Sequence, residues 1–221
     1  MDSRDFLQEG CGELGIKLEK KAMDRLALYF QELCKWNRKM NLVAAAPDKE
    51  LIESHFLDSL TLLPFLDTDE NPSLLDVGTG AGFPGLALKC AVEPLALTLV
   101  EPREKRVTFL RHIVRQLGLT GVEILDHRLE KTNKGECRYP LITSRALSTV
   151  SEFLDLVTDW CPPGGTVICM KGPKADEEIA QWRTVSPASP FVLEKHQSLT
   201  LPFSGAARNL LVFRKNGLHQ P

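Results

Sequence analysis

The spacing of apolar positions divides the chain into two regimes. Over Lys20–Met40, "KKAMDRLALYFQELCKWNRKM", the residues Met23, Leu26, Phe30 and Leu33 recur at intervals of three and four, the period of one helix face. A break at Pro47 precedes a second helical stretch carrying Leu51, Phe56, Leu57 and Leu60. These two helices predict an N-terminal cap over residues 1–70, ended by the polar linker 67–73, "DTDENPS". Beyond it, short apolar runs alternate with amphipathic stretches. "SLLDVG", "LALTLVE", "VEILD", "PLIT" and "TVICMK" read as strands. "PGLALKCA", "REKRVTFLRHIVRQLG", "STVSEFLDLVTDW" and "ADEEIAQW" read as helices. Pro84 falls in the first turn of the first of these, where a missing N–H costs nothing, and Gly118 stops the second. Such alternation requires a parallel sheet with helices on both faces. "FVLEKHQSLTLP" and "RNLLVFRK" follow each other without a helix, which predicts an antiparallel hairpin at one edge. The expected architecture is α/β, a Rossmann-like sheet of seven mostly parallel strands over residues 71–221 behind a helical cap.

Composition narrows the class without fixing the function. A chain of 221 residues holds one sizeable α/β core plus an added segment. No apolar run approaches the roughly 20 residues that span a bilayer, and "MDSRDFLQEG" has neither a basic start nor an apolar signal core. A cytoplasmic protein that binds no membrane is expected. Cys11, Cys34, Cys90, Cys137, Cys161 and Cys169 are scattered with no C-x-x-C, and the histidines do not approach them at metal-ligand spacing, so reduced thiols and no metal are expected. The formal net charge of −2 argues against a uniformly basic surface but leaves room for local cationic clusters.

Candidate chemistry centres on "SLLDVGTGAGFPGLALKC", residues 73–90. Gly80 to Gly85 form a G-x-G-x-x-G between a strand and a helix, the arrangement of dinucleotide sites. Asp76, inside the strand and two positions before Gly78, changes the picture. A carboxylate there can accept from an ammonium group or order the loop's N–H groups, and it would repel a pyrophosphate. S-adenosylmethionine carries a sulfonium and an amino group and no phosphate, so the acid suits it. Glu101 ends the next strand, 21 residues past Gly80, where it can take ribose hydroxyls. Glycines at Gly78, Gly80 and Gly82 leave room for the ligand to meet the backbone. The motif therefore favours S-adenosylmethionine over NAD, with an NAD-dependent oxidoreductase or a purely structural turn as alternatives.

Taken together, "NLVAAAPDKELIESHFLDSL", "LLDVGTGAGFPGLAL", "REKRVTFLRHIVRQLGL", "HRLE" and "TSRAL…KG" resemble the RsmG family, also called glucose-inhibited division protein B. The resemblance runs over about residues 30–214, and the first 20 residues contribute little. It implies a class I S-adenosylmethionine-dependent fold and methylation of guanine N7 in the 530 loop of 16S ribosomal RNA; apart from the resemblance, nothing in the sequence demands more than a monomer. By that likeness Gly78 and Phe83 would line the cofactor pocket, Glu101 would bind the ribose, Leu129 and Glu130 would flank the adenine, and Arg145 would sit where cofactor and substrate meet. A relic cofactor pocket on a non-enzymatic RNA-binding or assembly factor is the other alternative.

Guanine N7 has an exposed lone pair and no proton to remove, so its methylation depends on in-line positioning more than on a general base. The segment "LITSRALST" carries no N-P-P-[FYW], the motif of amino-group methyltransferases. Arg145 and Lys171 both close strands, where ligands of open α/β sheets gather, and are the candidate catalytic residues. Cys161 beside a Pro–Gly turn and Cys169 in an apolar strand read as structural rather than as nucleophiles. Arg103, Lys105, Arg106, Arg111 and Arg115 on one helix, Lys35, Arg38 and Lys39 at the end of the cap helix, and Arg208, Arg214 and Lys215 near the C-terminus are candidate phosphate contacts or plain solvated charges. Arg128 and Lys171 join the candidate RNA contacts. Trp36 is better placed for core packing than for base stacking, His55 and Asp58 for a hydrogen bond between segments than for catalysis, and His127 has no evident task.

Overall fold

The computed structural model describes residues 2–66, 72–131 and 138–217. Most of the expected linker 67–73 and Cys137 lie outside them. Among the described residues a seven-stranded sheet runs in the order β3-β2-β1-β4-β5-β7-β6. Strands β1 (Ser73–Val77), β2 (Ala96–Val100), β3 (Val122–Leu125), β4 (Leu141–Arg145) and β5 (Thr166–Lys171) are parallel. β6 (Phe191–Thr200) and β7 (Ala207–Lys215) form the expected hairpin, with β7 inserted antiparallel between β5 and the edge.

Alternation along each strand sends neighbours to opposite faces. Leu74, Leu97, Leu99, Ile168, Met170, Leu210 and Val212 join one core, while Leu75, Val77, Val100, Ile142, Val167, Leu211 and Phe213 join the other. Helices α7 (Val150–Val157) and α8 (Ala175–Val185) cover the second face. Thr149 begins α7 with a capping box, its hydroxyl accepting from Glu152 N and its own N–H donating to the Glu152 carboxylate. The first face packs against α5 (Gly85–Ala91), α6 (Glu104–Gln116) and the cap in one continuous core. Pro84 caps α5 from the position before it rather than lying in its first turn.

The cap differs from its expected form in two respects. It begins with an additional helix, α1 (Ser3–Glu13), which buries Phe6, Leu7, Gly10 and Cys11 before α2 (Lys20–Met40). Its contact is close because Gly10 has no side chain: a Cβ there would lie 2.2 Å from Leu57 Cδ1. The second expected helix starts as α3 (Asp48–Leu51), widens into a π-helical stretch, Ile52–Leu57, and closes as α4 (Asp58–Leu60). Met23, Leu26, Phe30 and Leu33 are buried as their spacing predicts, and Tyr29 lies on the same stripe with no exposure. Each such side chain contributes about 1.5–3 kcal/mol through burial.

Candidate active site

The loops after β1, β2, β3 and β4 enclose a cavity of about 700 Å³. Beside it runs the glycine turn, where Gly78 N and Thr79 N donate to Val100 O at 2.9 and 3.1 Å and Phe83 N donates to Thr79 O at 2.9 Å. Gly78, Gly80 and Gly82 have φ of 73°, 63° and 107°, left-handed backbone that side chains oppose. They face different neighbours. Gly78 is in the cavity wall, and a Cβ on it would lie 2.6 Å from Leu147 Cδ1. Gly80 lies beneath the Arg106 guanidinium, 3.8 Å from where its Cβ would be. Gly82 faces the cap: a Cβ would stand 2.4 Å from Tyr29 Oη. That hydroxyl donates to Ala81 O, so α2 braces the turn directly.

Asp76 lies under the turn and is fully buried. Its Oδ2 accepts from Thr79 Oγ1 at 2.6 Å and from Gly85 N, at the start of α5, at 2.8 Å, while Oδ1 has no hydrogen-bond partner among the described residues. Burial raises its pKa from 3.8 to about 6. Of the two roles open to this acid in the sequence, the geometry displays the ordering of the loop; the carboxylate is absent from the described cavity wall. The reason is alternation: Val77 and Leu75 face one core and Asp76 faces the other, toward α5.

Glu101, at the end of β2, does reach the wall. Its Oε1 accepts from Arg103 N at 2.9 Å and its Oε2 pairs with Arg106 Nη1 at 3.3 Å, fixing the carboxylate. Arg103, Arg106 and Arg128 line the same cavity, so residues read from sequence as RNA contacts surround the expected cofactor site. Leu129, Leu147 and Leu156 supply apolar wall, and Glu152 and Asp155 add two acids. Glu130 is exposed, and its carbonyl accepts from Trp160 Nε1 at 3.0 Å.

Arg145 ends β4 in a second cluster beside the cleft. Its Nη1 donates to Ser54 O at 2.7 Å and approaches Asp58 Oδ2 at 3.3 Å, and its Nη2 lies 2.9 Å from His55 Nδ1. A guanidinium cannot accept, so His55 Nδ1 is the acceptor and carries no proton. Burial, reinforced by the Arg145 charge, pushes the His55 pKa down to about 3. Phe83 is buried beneath this cluster, stacked on Tyr29 (5.2 Å between centroids) and His55 (5.1 Å), with the Arg145 guanidinium 5.4 Å from its ring centre. Asp58 Oδ1 lies 3.1 Å from Arg208 Nε, so one buried carboxylate joins both arginines. Lys171 ends β5 with its ammonium donating to Ser148 O and pairing with Glu178 Oε2 at 2.7 Å; its side chain is 9% exposed, a braced position rather than a solvated one.

The remaining candidates disperse. Arg111 pairs with Asp126 at 2.9 Å, Lys105 Nζ donates to Met40 O at 3.0 Å, and Arg214 lies 3.6 Å from Glu194. Lys215 Nζ donates to Thr158 O and Cys161 O, and Lys35 pairs with Glu32 at 3.3 Å. Arg38, Lys39, Arg115 and His127 are exposed. Trp36 packs on Phe109 and His112. Cys161 and Cys169 are buried, and burial pushes the Cys169 thiol up to about 12. Sequence reasoning passed over Tyr29, Ser54 and Leu147; only Tyr29 left a signal, three residues after Leu26 and four before Leu33 on the apolar stripe.

A glycine turn after the first strand, an acid closing the second and an antiparallel strand inserted before the edge together define a class I methyltransferase. The same fold occurs in a SAM dependent methyltransferase from Aquifex aeolicus (TM-score 0.57, 18% identity, 81% of this chain and 97% of that one). It recurs in P. horikoshii TYW2, solved in complex with MeSAdo (TM-score 0.60, 12% identity, 78% and 64%). Residues 22–210 match the family model described as rRNA small subunit methyltransferase G, GidB. The Ribosomal RNA small subunit methyltransferase G of Desulfotalea psychrophila is 47% identical over 216 residues, covering 96% of this chain and 99% of that protein. Its namesake from Myxococcus xanthus is 39% identical over 220 residues, covering 96% of each. The chain belongs to the rRNA small subunit methyltransferase G family.

Proposed function

We propose that the protein is a monomeric cytoplasmic enzyme that methylates N7 of a guanine in the 530 loop of 16S ribosomal RNA, with S-adenosylmethionine as donor. Bound in the cavity, the cofactor supplies an electrophilic methyl carbon on a sulfonium. The residues present fit such a ligand. Glu101, held by Arg103 N and Arg106, offers its carboxylate to ribose hydroxyls. Leu129, Leu147 and Leu156 give an adenine apolar walls, and the turn at Gly78 admits close approach of the ligand to the backbone. The wall sets Glu101, Glu152 and Asp155 among Arg103, Arg106, Arg128 and Lys131, so S-adenosylmethionine is preferred to NAD on the family match and not on the charge of the lining.

The choice of guanine N7 follows the family match, and what supports a target atom with a bare lone pair is the state of the proton-accepting groups around Arg145. His55 accepts from Arg145, Asp58 serves two arginines, and Lys171 is paired with Glu178. An acceptor atom that must lose a proton would call on one of them, whereas guanine N7 brings a bare lone pair. Positioning is then the whole task of the chain. Arg145, fixed by the cap at the end of β4, retains N–H donors for the guanine O6 or the cofactor carboxylate. Arg103 and Arg128 at the cleft, with Arg208 beyond Asp58, supply phosphate contacts. The test is release of S-adenosylhomocysteine on mixing protein, S-adenosylmethionine and small ribosomal subunits from cells lacking this protein. Turnover is expected; cofactor binding without turnover would favour the assembly-factor alternative.

A further inference from the structure

A second cavity, of about 610 Å³, adjoins the Arg145 cluster. Ser54, whose carbonyl holds Arg145, and Arg208, which pairs with Asp58, both stand in its wall. Across from them Phe203, in the turn between β6 and β7, stacks on Phe6 of α1 with centroids 4.2 Å apart, yet remains 38% exposed. Gly10 permits this approach, since a Cβ there would meet Phe203 Cε2 at 3.0 Å. Lys49 Nζ lies 5.2 Å over the Phe6 ring. The turn itself is pinned, because Phe203 N and Ser204 N donate to Glu53 Oε1 at 2.7 and 2.9 Å. Those bonds occupy one of the two acids in the wall and leave Glu50 facing the opening.

An exposed ring on a rigid turn, flanked by an ammonium and a guanidinium, is the chemistry that holds an unpaired nucleotide: the base stacks and the phosphate meets the cations. The volume falls within the ordinary range of small-ligand sites. Glu50 suits an exocyclic amine of the base. We infer that this cavity binds a single-stranded nucleotide neighbouring the target base in the same RNA. It rests on the RNA substrate proposed above. The Asp58 carboxylate, shared by Arg208 and Arg145, ties this subsite to the strand end where the target base would lie.

The experiment measures methyl transfer to small subunits, and anisotropy of a labelled single-stranded RNA carrying the 530-loop sequence, for wild type, Phe203→Ala, Phe203→Tyr and Lys49→Ala. Phe203→Ala is expected to raise KM for subunits and Kd for the oligonucleotide about 10-fold, with kcat and the calorimetric affinity for S-adenosylmethionine unchanged. Phe203→Tyr should restore both. Lys49→Ala, which removes an exposed ammonium from over the Phe6 ring and leaves the Phe6–Phe203 stack in place, should weaken binding about threefold and flatten its salt dependence. Unaltered KM and Kd in folded Phe203→Ala and Lys49→Ala, alongside an active wild type, would overturn the subsite alone. A raised KM with unchanged oligonucleotide affinity would give the cavity to a ribosomal protein and overturn it equally. Absence of methyl transfer by the wild type would instead count against the reaction proposed above, and failure of the wild type to bind the oligonucleotide as well would remove the RNA substrate and the subsite together.

Discussion

The cleft at the strand ends is walled by residues spread over 77–156 and stays open, whereas the Arg145 guanidinium at the end of β4 is held by partners from 87 to 91 residues away in the chain. In the cleft, polar groups of the protein fix the backbone and leave space: Asp76 orders the turn and Arg103 N steadies Glu101. Around Arg145 they satisfy one another and leave little. A nucleoside needs a preformed slot, while an acceptor with no proton to lose needs a rigid guide. The cap connects the two, since Tyr29 braces the glycine turn and Ser54, His55 and Asp58 hold Arg145. The π-helical stretch places Ser54 and His55 beside that guanidinium.

The connection can be broken at Gly82. Gly82→Val drives a side chain into Tyr29 Oη at a left-handed φ, and overpacking plus backbone strain should cost about 3–5 kcal/mol in urea unfolding. Cofactor affinity should fall with it, because the turn loses its brace. Arg145→Ala separates the regions differently. We expect about a 100-fold loss of kcat, equivalent to about 2.7 kcal/mol, with calorimetric affinity for S-adenosylmethionine reduced far less and the fold retained.

Titration sharpens the contrast, because the two regions respond to acid with opposite signs. Asp76 has a folded pKa of about 6 against 3.8, so folding takes up a proton in that window. Its contribution is complete below about pH 4 and is lost as pH rises through 6. His55, lowered from 6.5 to about 3, contributes stability that is present above 6.5 and lost as pH falls toward 3. The change in unfolding free energy between pH 4.5 and 7, from urea titrations, should therefore differ from wild type in opposite directions in Asp76→Asn and His55→Gln, by about 1–2 kcal/mol each. Shifts of the same sign would show that one of these groups is not buried as described. The smallest effect is expected at the end of β5. Glu178→Gln weakens the Lys171 pair and should cost about 1 kcal/mol of stability while leaving kcat within a factor of two.

How far each region was legible follows from how it is built. The strand-helix alternation, the edge hairpin and the acid-glycine turn with Glu101 are local patterns, and each occurs where its sequence predicts. Asp76 was legible as important, but which way its side chain turned depended on the sheet's alternation relative to α5. The Arg145 cluster was only half visible. His55 and Asp58 read as a contact between segments, yet nothing local showed that Arg145 was their partner or that Arg208 would share the same carboxylate. Helix α1 escaped because Gly10, Gly12 and its polar positions blur the apolar stripe, and its purpose is to pack on Leu57 and Phe203, distant in the chain. Lys171 read as a candidate catalytic and RNA-contacting residue, and its pairing was hidden because Glu178 reaches it only through the first turn of α8.

The central claim, a methyl group delivered to a lone pair without a general base, is tested most directly by mapping the product. Small subunits from cells lacking this protein are incubated with it and labelled S-adenosylmethionine, and the modified nucleoside is identified and located by mass spectrometry. The account predicts label in 7-methylguanosine within the 530 loop. Label on an exocyclic amine, a ring carbon or a ribose hydroxyl would contradict it, because each of those atoms carries a proton that must be lost, whereas N7 carries none.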